Sequence, residues 1–129
     1  MWMIIGDRRF AMRLAATDAA RAFALRLPLS LEMAELNGNE MHADLAQPLP
    51  VEATRPGTIR AGDIMLYGAR TIVVFYETFR SKYSYTRLGH VDDADGLRVA
   101  LSPGKSRVLL FAQATTIESV SGIDAVDFP

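Results

Sequence analysis

Residues 57–93, GTIRAGDIMLYGARTIVVFYETFRSKYSYTRLGHVDD, constrain the fold more than any other stretch of the 129-residue chain. They read as strand, tight turn, buried strand, aromatic loop and strand. Gly68-Ala69-Arg70 turns a strand at 63–67 into a second at 71–77. In that second strand Ile72, Val73, Val74, Phe75 and Tyr76 are apolar at successive positions, so both faces must be covered. The expectation is that one face meets the core and the other lies under a helix.

The rest of the chain is punctuated in the same way. Residues 1–5 form a short apolar strand, Gly6-Asp7 turns it, and 9–14 return with Phe10, Met12 and Leu14 on one face. Thr17 is placed to cap a helix over 18–26, where Ala19, Ala22 and Phe23 recur at helical spacing; Pro28 stops it. Leu29, Leu31 and Met33 alternate with Ser30, Glu32 and Ala34 as in a strand. Asn37-Gly38, two residues that tolerate positive φ, is the strongest hairpin signal, with its return strand at 40–45. Pro48, Pro50 and Pro56 make 47–56 an extended loop, and 78–84 reads as a polar, basic loop. A strand at 85–91, a short helix near 95–101 and a last strand at 107–111 follow.

The sum is about eight short strands and two helices, which fits a mainly β, closed antiparallel barrel with helices capping its ends, because closure removes exposed edges. The length suits one domain. Residues 1–111 make the barrel domain. Residues 112–129, with Glu118, Asp124 and Asp127 and no basic residue, make an acidic C-terminal extension.

Composition narrows the function. The net charge is −1 and the basic residues, nearly all arginine, are spread evenly, so no stripe for nucleic acid exists. The chain has no cysteine. That removes disulfides, thiolate catalysis and cysteine-ligated metals, and fits a cytoplasmic location. The start, MWMIIGDRRF, carries a charged turn where a secretory leader would have an apolar run. No apolar run approaches the ~18 residues of a membrane span. His42 and His90 have no partner at ligand spacing, and Asp92, Asp93 and Asp95 lack the terminal glutamate of a calcium loop and read as helix caps. No metal and no cofactor is expected.

One surface could take a ligand. Tyr83, Tyr85 and Arg87 share parity, so an extended strand would align two phenols and a guanidinium able to stack on an apolar group and hold a carbonyl or carboxylate. Phe75 belongs to the same aromatic set. Glu40 and Asn39 would form the rim, with Glu40 either pairing with Arg87 or acting as a base if desolvated.

Three pieces in order carry a family resemblance: Gly62-Asp63-Ile64 with Tyr67, then Val73-Val74-Phe75-Tyr76, then Tyr85-Thr86-Arg87-Leu88-Gly89-His90-Val91 before a short helix. With Leu27-Pro28-Leu29, Glu32-Met33 and Leu36-Asn37-Gly38-Asn39-Glu40 upstream, residues 2–111 resemble the small bacterial cyclophilin-like proteins of unassigned function. The resemblance implies a cyclophilin-like barrel. It also implies what is missing. Prolyl isomerases of that fold use an arginine in Phe-His-Arg and a Met-Ala-Asn stretch, whereas this chain has Met41-His42-Ala43 and no Met-Ala-Asn. The expected function is therefore a binding module for a peptide or small organic ligand, working as a monomer or weak homodimer. The alternatives are a weak or atypical prolyl isomerase using Arg87, or an assembly subunit joined through Trp2 and the acidic tail.

Overall fold

The structure, a computed structural model, describes residues 1–101 and 106–113. Its strands are β1 (Trp2–Ile5), β2 (Arg8–Leu14), β3 (Leu29–Leu36), β4 (Glu40–Asp44), β5 (Thr58–Ile59), β6 (Asp63–Tyr67), β7 (Thr71–Phe75), β8 (Phe79–Arg80), β9 (Thr86–Val91) and β10 (Arg107–Ala112). Two helices, α1 (Asp18–Leu25) and α2 (Ala94–Leu101), complete it. Eight strands close an antiparallel barrel in the order β1-β10-β3-β4-β7-β6-β9-β2, and β5 pairs with β8 in a separate two-stranded sheet. The expected closed barrel with two helices is what the chain forms. The residues beyond Gln113, which hold most of the acidic extension, lie outside the described residues.

Local chemistry explains the joints. Asn37 and Gly38 have φ of 59° and 69°, the pair of left-handed residues that a tight hairpin between β3 and β4 requires. Thr17 Oγ1 accepts from Ala20 N at 3.0 Å and caps α1. Asp93 Oδ1 accepts from Gly96 N at 3.0 Å and caps α2, the capping role read for the aspartates there. Arg26, the residue closing α1, donates to the carbonyls of Gln47 and Pro48 at 2.8 and 2.6 Å, which fastens the proline-rich loop.

Register sets what is inside. Met3 faces both Phe10 and Phe111, Met41 faces Val74, and Ile64 faces Val74 from the other side. All of these are buried. Phe23 of α1 meets Phe111 edge-on at 5.3 Å, and Leu97 and Leu101 of α2 join the same core. Both helices thus add to the barrel's inner core.

That use of the helices corrects one expectation. The outer face of β7 is not under a helix. It is under a flap of loops that carries β5 and β8, the latter inside the 78–84 stretch expected to be loop. Ile59 and Phe79 from this flap, with Tyr85, pack on Met65, Val73 and Phe75 in a second apolar core outside the barrel. Phe75 touches Phe79 and Tyr85, each at 5.6 Å between ring centres. Leu14, expected to face inward with Phe10 and Met12, is 38% exposed at the end of β2.

Closure between β2 and β9 leaves no room at Gly89. A Cβ there would sit 2.4 Å from the Arg13 carbonyl oxygen, and backbone cannot rotate away. Gly89→Ala should therefore destabilise the fold by about 3 kcal/mol, the upper end for overpacking, in urea unfolding. A neutral result would contradict the described closure.

Candidate functional site

The outer surface of β4, β6 and β7 carries a groove of ≈ 340 Å³ lined by Leu36, Asn37, Glu40, His42, Tyr67, Thr71, Val73, Tyr83 and Tyr85. Strand parity builds its floor. In β4, Met41 points into the barrel, so Glu40 and His42 point out. Opposite them Phe75 and Val73 of β7 also point out. The flap raises the wall: Thr54 and Tyr85 exchange backbone hydrogen bonds of 2.9 Å, which hold Tyr85 against Phe75 and Val73. Tyr67, at the end of β6, lies 5.7 Å from Tyr85 and 6.2 Å from Tyr83, so three phenol rings cluster at one side.

The predicted site residues divide. Tyr83, Tyr85 and Glu40 meet in the groove, and Phe75 lies fully buried beneath it. Asn39 does not line it; its carbonyl accepts from Tyr76 N at 3.0 Å and fixes the end of the hairpin. Arg87 does not line it either. It borders a separate depression with Arg13, Arg60 and His90. Tyr85 and Arg87 do share the outer face, as their parity requires, with Thr86 and Leu88 buried on the other side; but Arg87 pairs with Met65, one step further along β6, and opens onto the neighbouring depression instead of the groove. Among the described residues no ion pair joins Glu40 to Arg87. Trp2 lies half-buried on β1, with the Arg9 guanidinium 4.2 Å from its ring centre.

Six groove residues were not among the expected site residues: Leu36, Asn37, His42, Tyr67, Thr71 and Val73. His42, which the sequence excludes as a metal ligand for want of a partner, shares parity with Glu40 and so the same outer face. Tyr67 was quoted within the Gly62-Asp63-Ile64 pattern without a role. The position that mattered for an isomerase also changes: Ala43 packs toward the inner core, and the outward residue next to it is His42.

Electrostatics single out Glu40. Burial raises its carboxyl above the ordinary range; His42 pulls it back and Glu35 adds to the rise. Glu35 stands on the next strand, where it accepts from the Tyr76 hydroxyl at 3.1 Å and from Gly38 N. Burial, and then this bond to Glu35, push the Tyr76 phenol up to about 12, so it stays a donor at any physiological pH. Burial likewise raises the Tyr85 phenol. The groove thus offers neutral hydroxyls, an imidazole and one poorly solvated carboxylate. Among the described residues no three His, Asp or Glu side chains converge as a metal site needs, and no helix is long and apolar enough to cross a membrane.

The raised carboxyl carries a stability signature. A folded state that holds this proton more tightly than the unfolded chain loses stability as pH rises through the folded-state value, and the loss is absent below the unfolded value. Glu40→Gln should therefore resist urea better than the parent at pH 7, with the gap closing by about pH 4. Equal stability at both pH values would show that Glu40 is solvated.

A model of the cyclophilin-like family matches residues 3–110, and no curated protein or solved structure matches the chain. The matched span contains both helices and every strand of the barrel except the first residue of β1 and the last two of β10. The chain belongs to the cyclophilin-like family.

Proposed function

We propose that this cyclophilin-like protein is a binding module that takes a peptide or a small organic ligand in the tyrosine groove. One observation carries the reading. Three tyrosines, two aliphatic side chains and a desolvated carboxylate converge on one concavity, with no arginine among its described lining residues. Phenol rings supply apolar stacking surface at low entropic cost, and a few polar groups fix orientation. Glu40, short of water, gains most from a ligand that donates an N–H or carries a positive charge. The ligand class is therefore compact, with an apolar or aromatic face and a donor on one edge.

An isomerase reading has less support. Lowering the barrier of an X–Pro bond calls for a fixed donor at the substrate amide while the bond twists. A guanidinium would serve, and the only arginine nominated for it, Arg87, borders the other depression.

Calorimetric titration with proline-containing peptides and with small aromatic amines tests the proposal, with an isomerisation assay on the same peptides. Tyr83 is 61% exposed, so Tyr83→Ala should leave the melting temperature unchanged. It should weaken binding about tenfold, the worth of one aromatic contact. No isomerisation should be seen. Catalysis that disappears in Tyr83→Ala would transfer the reading to an enzyme, and failure of both ligand classes to bind would end it.

A further inference from the structure

The second depression, ≈ 680 Å³, has a chemistry unlike the groove's. Arg13 of β2, His90 of β9 and Asp63 of β6 stand directly opposite one another across three adjacent strands. Asp63 is 2% exposed. Its Oδ1 lies 2.9 Å from His90 Nδ1, and its Oδ2 accepts from Arg60 N at 2.9 Å. Both carboxylate oxygens are thus in use. A carboxylate in that place keeps the proton on Nδ1 and leaves Nε2 for another partner. The Gly62-Asp63 turn and the Gly89-His90 stretch, two pieces of the family resemblance, meet at this point.

Four guanidinium groups line the depression, from Arg13, Arg60, Arg87 and Arg98, against the carboxylates of Asp63 and Asp95. Asp63 is committed to His90. Arg13 and Arg98 are partly neutralised from outside by Asp92 at 2.9 Å and Glu77 at 3.3 Å. Among the described residues no carboxylate pairs with Arg60 or Arg87. In a chain of net charge −1 this is a local excess of positive charge, held on two strands, a loop and a helix.

We propose that this depression is a second ligand site, separate from the tyrosine groove, for a small multivalent oxyanion: an organic phosphate or a polycarboxylate. Arg60 and Arg87 supply planar forks that match such oxygens two at a time. His90 Nε2 supplies a third point, oriented by buried Asp63. The volume exceeds that of a lone inorganic ion and falls in the range of metabolite pockets.

The test is calorimetry and amide NMR on the full chain with pyrophosphate, glucose 6-phosphate and citrate. At least one should saturate, with shifts centred on Ala61, Gly89 and His90, and its affinity should fall as salt is raised. Arg60→Ala combined with Arg87→Ala should weaken it at least about tenfold, while Tyr83→Ala should leave it unchanged. Both arginines are exposed and unpaired among the described residues, so the double variant should melt with the parent. Tighter binding of the phosphates or of citrate decides which oxyanion source the site suits. If none saturates below about 10 mM, or if the double variant binds as well as the parent, these are solvated surface arginines and the proposal fails.

Discussion

The outer faces of β6 and β7 carry Met65, Val73 and Phe75, and the rest of the structure depends on how the chain covers them. A strand that is apolar on both sides leaves one side wet unless something lies over it. The flap does this with Ile59, Phe79 and Tyr85. Its own sheet pairs only two residues per strand and could not stand alone. Burial of side chains of this kind contributes roughly 1.5–3 kcal/mol each, enough to hold the flap down. The flap covers only part of the outer surface. Val73 and Tyr85 of its core wall the tyrosine groove, while Arg60 and Thr78, next to Ile59 and Phe79, line the arginine depression.

Much of the barrel was legible because its signals are local. Asn37-Gly38 marked a hairpin that positive φ values bear out, and Thr17 marked a cap that the hydrogen bond to Ala20 N makes explicit. The two-faced apolar run at 72–76 announced that β7 needed cover. What covers it was not legible. The two helices send Phe23, Leu97 and Leu101 into the inner core, and the cover comes from β5 and β8. A strand of two residues inside a polar run leaves no periodic trace, and its partner lies about twenty residues upstream.

The site was half legible for the same reason. Tyr83, Tyr85 and Glu40 gather as chemistry and proximity suggested, but parity fixes only the face that Arg87 shares with Tyr85, not which of two neighbouring hollows on that face it borders. The Asp63–His90 pair joins residues 27 apart in sequence, and nothing in either local pattern announces the contact. The two hollows that result are chemical opposites. Glu40 in the groove repels the anions that Arg60 and Arg87 would attract, so one barrel can present two surfaces without cross-binding. The fold itself prescribes neither function.

The most direct test of the account is a map of amide and tyrosine-ring NMR shifts while the protein is titrated with a library of small aromatic amines and short peptides. The account predicts saturable shifts that converge on Glu40, His42, Tyr67, Tyr83 and Tyr85. Strongest shifts on another face of the barrel, or none from any compound, would contradict the claim that the flap builds a ligand groove.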